Sequence, residues 1–204
     1  MEPRTDLLSG RPAGRPPRER ADAARNRAKV LAAAAELFAS RDPRAVTMDD
    51  IAKAAGVGRG TLYRRYPDTV SIARALLDEH ERALQERLLR GDPPLGPDAP
   101  PGDRLAAFYA AMVELLEDHI ALVLGAEQGA ARFAAGAYGF WRAHVRMLLT
   151  EAGTPDPAAL TDALLAPLAP DVYTEQRRQG LTPPQITASL THLAHAVTSP
   201  ARSR

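Results

Sequence analysis

A chain of 204 residues without one cysteine can build a large domain or two modest ones, but no disulfide and no thiolate site. Its net charge of +1 hides an imbalance: residues 1–67 hold 14 Lys/Arg against 8 Asp/Glu, whereas 68–204 hold 12 against 17, as expected when one end meets a polyanion. No apolar run approaches the roughly 18 residues of a membrane span and no apolar signal core opens the chain, so a cytoplasmic protein without a membrane partner is expected.

Residues 1–20, MEPRTDLLSGRPAGRPPRER, are too rich in Pro, Gly and Arg to bury a core and read as a disordered basic arm. Its two Arg-Pro units, around Arg11 and Arg15, suit a narrow minor groove. Helical periodicity begins near Ala21, with Val30, Ala34, Leu37 and Phe38 on one stripe, and stops at Asp42-Pro43. Thr47 and Asp50 then have the spacing of a capping box. A short helix runs to Gly56, which supplies the positive φ of a tight turn, and a second begins after Gly58. Ile51, Val57 and Leu62 are expected to face inward against Leu37 and Phe38.

A long helix follows over 68–90, with Val70, Ala73, Leu76, Leu77 and Leu84 on its apolar side. GDPPLGPDAPPGD (91–103) breaks it. Further helices are expected over about 104–117, 119–128, 131–152, 157–179 and 183–198, with Pro167 and Pro170 splitting the fourth and Thr182-Pro183 opening the last. No stretch alternates with period two. The fold class is therefore all-α: a three-helix helix-turn-helix domain over 21–67, then a larger helical bundle over 68–204.

The residues that the two-helix unit leaves outward carry the functional reading. A helix fits the major groove, and the first residues of a recognition helix reach base edges. Arg59 can donate two hydrogen bonds to a guanine, Gly60 permits close backbone approach, Thr61 offers a hydroxyl and a methyl, and Arg64 can reach a base or a phosphate. Tyr63 and Arg65 suit phosphate oxygens, which fix register.

At this point TMDDIAKAAGVGRGTLYRRYP resembles the DNA-binding signature of the tetracycline-repressor (TetR) family of transcriptional regulators, and VLAAAAELFASRDPRAV resembles that family's first helix. The likeness covers about residues 27–78. It implies a homodimer that binds a palindromic double-stranded DNA operator, most often as a repressor, and releases it when a small molecule enters the C-terminal domain. Position by position it aligns Arg59, Gly60 and Thr61 with base reading, Thr47, Tyr63 and Arg65 with phosphate contacts, and Leu62 and Tyr66 with the core. Three positions depart from the pattern: Gly58 stands where a capping side chain is usual, Thr69 replaces a common lysine at a phosphate position, and Asp42 replaces a glycine.

Within 68–204, expected to sense ligand and to dimerise, aromatic residues gather in FAAGAYGFW (133–141) and on an earlier helix. Phe108, Met112, His119, Phe133, Tyr138, Trp141 and His144 are the candidate lining of a cavity for an amphipathic effector. Leu164 and Leu168, with Ile186, Leu190, Leu193 and Val197, form apolar stripes on the last two segments and are the candidate dimer interface. His192 and His195 lack a third ligand, so no metal and no cofactor is expected. No HExxH, GxSxG, Walker or dinucleotide glycine motif occurs, which argues against an enzyme. The alternatives are a ligand- or partner-binding helical dimer without operator binding and, ranked below it, a small helical enzyme.

Overall fold

The computed structural model describes residues 17–126 and 136–199, and every regular element among them is helical. The order is α1 (Pro17–Ser40), a 3-10 turn (Pro43–Ala45), α2 (Met48–Ala55), α3 (Arg59–Arg65), α4 (Thr69–Arg90), α5 (Pro101–Ala126), α6 (Gly136–Glu151) and α7 (Pro157–Leu165). A second 3-10 turn (Ala166–Leu168), α8 (Pro170–Arg178) and α9 (Pro183–Thr198) complete it. Phe133 and most of the N-terminal arm lie outside the described residues; α1 begins at Pro17, four residues before the expected start.

Local chemistry explains where the short helices start and stop. The Thr47 hydroxyl accepts from the Asp50 amide at 3.2 Å while the Asp50 carboxylate accepts the Thr47 amide at 3.0 Å, satisfying donors that the first turn of α2 leaves open. The Thr47 hydroxyl, which donates to the Asp50 carboxylate, and the Thr47 amide beside it hold that carboxyl below the usual carboxylate range. Gly56 ends α2 at φ 63°, and an added Cβ there would touch nothing within 4 Å, so conformation alone demands glycine. Asp68 and Ser71 close a second capping box at the head of α4. Pro167 and Pro170 divide the expected 157–179 segment into α7, a 3-10 turn and α8.

Two departures have physical reasons. The helices expected at 104–117 and 119–128 are one, α5, because nothing at 117–119 breaks the backbone and Glu117 is anchored outward by Tyr173 and Arg177. Val70 is 52 % exposed: it sits in the first turn of α4, ahead of the point where Ile72 and Ala73 meet the core.

The described residues form two cores. Val30, Leu31 and Ala34 of α1 pack with Ile51 and Ala52 of α2, Leu62 of α3, Tyr66, and Ile72 and Leu76 of α4. Leu84 and Leu88 of the same α4 belong instead to the body core with Leu105, Phe108, Tyr109, Trp141, Leu148 and Tyr173. The boundary expected at Pro67 therefore falls before a helix whose first half is packed with the N-terminal unit. In the body, α9 lies along α5, and a Cβ on Gly102 would approach Thr198 Oγ1 to 2.5 Å, a separation that only glycine permits without a shift.

Leu62 is 1 % exposed and is the buried residue of α3. Leu62→Ala is expected to cost about 2–5 kcal/mol, the range for truncating a buried leucine, and to loosen α3 first. Urea unfolding with amide exchange over 58–66 measures both effects.

Candidate nucleic-acid interface

Helix α3 has seven residues, and Gly58 gives it no side-chain cap. So short a helix is unstable alone and depends on what it is packed against. Leu62 and Tyr66, four residues apart, point into the N-terminal core, and both are at most 5 % exposed. Arg27 of α1 reinforces the second anchor: its guanidinium donates to the Tyr66 hydroxyl at 3.3 Å and to Glu79 of α4 at 3.1 Å. One α1 side chain thus ties the end of the α3 segment to the helix that leads into the body.

The outward residues are brought together as the sequence reading expects. Arg59, Gly60, Thr61, Tyr63, Arg64 and Arg65 are all exposed, as is Thr47 at the head of α2; Thr69 is half-buried in the first turn of α4. An added Cβ on Gly60 would meet no protein atom within 4 Å, so the intramolecular packing leaves that side of α3 open. The Arg65 guanidinium lies 5.9 Å from the centre of the Tyr66 ring. Between α1 and α3 runs a cleft of about 530 Å³ whose lining includes Arg27, Thr61, Arg64, Arg65 and Tyr66. The Thr47 hydroxyl donates to Asp50 at 2.7 Å, so a phosphate would have to compete with that carboxylate for its hydrogen.

One contact was not legible from spacing. Asp49, readable in the sequence only as a residue suited to a helix N-terminus, places its carboxylate 2.6 Å from the Arg59 guanidinium across the Gly56 turn. Arg27 was likewise missed, since nothing in the α1 periodicity links it to Tyr66 and Glu79.

Residues 30–76 match the family described as bacterial regulatory proteins, tetR family. An uncharacterized HTH-type transcriptional regulator of Mycobacterium tuberculosis is 31 % identical over 94 residues, covering 46 % of this chain and 45 % of its own. The HTH-type transcriptional repressor LfrR of Mycolicibacterium smegmatis is 38 % identical over 73 residues, covering 36 % of this chain and 38 % of its own. The chain thus aligns with under half the length of these curated relatives. Over the whole fold, a TetR/AcrR-family transcriptional regulator from Thermobifida fusca superposes with a TM-score of 0.64 at 18 % identity, covering 87 % of this chain and 98 % of that one. A complex of SmeT with triclosan superposes at 0.58 and 15 % identity, covering 84 % and 90 %.

Residues 30–76 thus carry the DNA-binding region of the tetR family.

The body of the chain places its candidate sensor residues unevenly. Phe108, Met112, Trp141 and His144 are buried together, with the Phe108 ring 5.8 Å from Trp141 and 5.5 Å from His144. His119 is buried farther along α5, where its Nε2 meets Nδ1 of His80 on α4. Tyr138 is half-buried against the body core and donates to Asp162 at 3.2 Å, beside an Arg142–Asp162 ion pair. Two buried imidazole atoms, His119 Nδ1 and His144 Nε2, have no hydrogen-bond partner among the described residues.

The candidate dimer residues require a correction. Leu164, Leu168, Ile186 and Leu190 are at most 7 % exposed within a single protomer, because they pack into the body core of their own chain. Leu193 and Val197 are half-buried against the same core. On their outward faces α7 exposes Ala158, Ala159 and Ala163 beside Asp162, and α9 exposes Ala188, Ser189 and Ala196 beside Gln185, His192 and His195.

Burial, with the nearby Arg104 charge, pushes the His144 imidazole from 6.5 down to about 4. Above pH 6.5 both folded and unfolded chains hold it neutral; as the pH falls toward 4 the unfolded chain binds a proton that the folded one refuses, so stability is lost. Between pH 6.5 and about pH 5 this loss amounts to about 2 kcal/mol. His144→Phe should lack that share of the decline, and urea midpoints measured across the same window for both proteins will show the difference.

Proposed function

We propose that this chain is a homodimeric transcriptional repressor that binds a palindromic DNA operator through α3 and releases it when a small amphipathic molecule occupies the body. The observation that carries this reading is the composition of α3: a helix gripped from inside by Leu62 and Tyr66 that turns Arg59, Thr61, Tyr63, Arg64 and Arg65 outward. Two copies related by a two-fold axis would set their α3 helices in successive major grooves, roughly 34–36 Å apart. Arg59, Gly60, Thr61 and Arg64 are assigned to base edges, and Thr47, Tyr63, Arg65 and Thr69 to phosphates. The name of LfrR, which calls it a repressor, supports repression as the sign of control.

The α1–α3 cleft supports the phosphate assignment of Arg65, since Arg27, Arg64 and Arg65 outweigh Asp22 in its lining and leave it net positive. The exposed alanines of α7 and the mixed small and polar outer face of α9 would pair with their two-fold mates in a self-complementary interface. For the effector, the Phe108–Trp141–His144 cluster supplies apolar surface, and the unpartnered His144 Nε2 supplies a hydrogen-bonding atom. SmeT, whose fold is similar, forms a complex with triclosan, a small molecule.

Release follows from α4. Ile72 and Leu76 fix its first half to the reader, while Leu84 and Leu88 fix its second half to the sensor. An effector that prefers a body with α4 displaced would change the α3–α3 separation and shift the population away from the DNA-competent form. Equal affinity for both forms would shift nothing.

Arg59→Ala is expected to cost about 1–3 kcal/mol on the preferred operator and to relax preference at one base pair. Tyr63→Phe should weaken all sequences alike. Titrations against a panel of single-base operator variants separate the two; a uniform loss for Arg59→Ala removes it from base reading.

A further inference from the structure

The Asp49–Arg59 contact is an exposed ion pair, with the side chains 48 % and 71 % accessible. Such pairs contribute roughly 0–1 kcal/mol to stability, so stability offers little reason for it. Its place matters more. Asp49 lies in the first turn of α2, two residues after exposed Thr47, and reaches across the turn to the first residue of α3. It puts a carboxylate on the face assigned to DNA, where an unpaired negative charge would repel phosphates.

We propose that Asp49 is a specificity-determining residue, acting through Arg59 to suppress binding to DNA that lacks the correct base. This rests on the proposed role of Arg59 as a base reader. The contact uses Nη2 of the guanidinium, which has five N–H donors, so two parallel N–H groups remain for the O6 and N7 of a guanine. On a site with guanine in register, Arg59 gains both bonds while its orientation is held by the carboxylate. On other DNA the guanidinium finds no base partner, and Asp49 keeps it from swinging to the nearest phosphate. The paired charges also sum to zero, so Arg59 adds little to the salt-dependent attraction that all sequences share. Discrimination therefore comes from lowering the affinity for wrong sites as well as from raising it for the right one.

The neighbouring charges leave this pairing intact. Asp50 is bonded to Thr47 in the capping box, and Arg41 is its nearest cation at 3.9 Å. Asp49→Asn keeps the size of the side chain and leaves the capping box in place, so the variant is expected to fold; its melting temperature checks this.

The experiment measures the affinity of the full chain for a duplex recovered by selection and for a scrambled duplex of equal length, over a salt series. Four proteins are compared: wild type, Asp49→Asn, Arg59→Ala and the double variant. Asp49→Asn should bind the scrambled duplex several-fold more tightly, with a salt slope steeper by about one phosphate contact. The ratio of the two affinities should fall by about tenfold, within the roughly 5- to 150-fold worth of one bidentate contact. In the Arg59→Ala background Asp49→Asn should leave the ratio within about twofold, as expected when two residues act as a coupled pair. An unchanged ratio for Asp49→Asn, or an equal change in both backgrounds, overturns the proposal while leaving Arg59 as a base reader. If Arg59→Ala itself keeps the full ratio, base reading by Arg59 fails, and the role of Asp49 fails with it.

Discussion

The inward grip on α3 is the constraint on which the remaining structure depends. A seven-residue helix without a side-chain cap has no independent stability, so its position is set by Leu62 and Tyr66 and by the α1 and α2 residues around them. Every outward side chain inherits its direction from those two anchors. Chemistry and position are thereby separated: apolar contacts on one side decide where the helix lies, and the opposite side is free to carry arginines and a tyrosine. The αL turn at Gly56 serves the same end, because it sets the angle between α2 and α3, while the Thr47–Asp50 capping box fixes where α2 begins.

The second organising feature is that α4 belongs to both cores. A helix anchored at one end by Ile72 and Leu76 and at the other by Leu84 and Leu88 cannot tilt without disturbing both. Arg27, bridging Tyr66 and Glu79, adds a polar tie between the α3 anchor and the same helix. Close packing makes such an element respond as a rigid lever, and that is the property a sensor needs if it is to act on a distant reader. His80 on α4, in contact with His119 on α5, lies at the junction through which such a movement would pass.

Much of this was legible in the sequence wherever a local rule dominates. Thr47, Gly56, Pro167, Pro170 and Thr182-Pro183 each mark a helix end by a backbone requirement that tertiary context does not override, and the structure places ends at all of them. Hydrophobic stripes were less informative, because periodicity says that a face is buried without saying against what. That is why Ile186 and Leu190 could be assigned to a subunit interface when they pack on α5 of their own chain, and why Val70 was placed inward one turn too early. Contacts between exposed charges on different elements, Asp49 with Arg59 and Arg27 with Glu79, left no trace in spacing at all. They depend on the angle between helices, which only the folded chain supplies.

The most direct test of α3 as the reading element is methylation interference at guanine N7 on DNA selected by the purified chain. N7 lies in the major groove beside O6, where an arginine would bind, and methylation blocks it. Two α3 helices in successive major grooves predict interference at two symmetric sets of guanines whose centres are about one helical turn apart. Interference confined to a single unpaired set, or selection that enriches no sequence, would contradict a paired α3 reader.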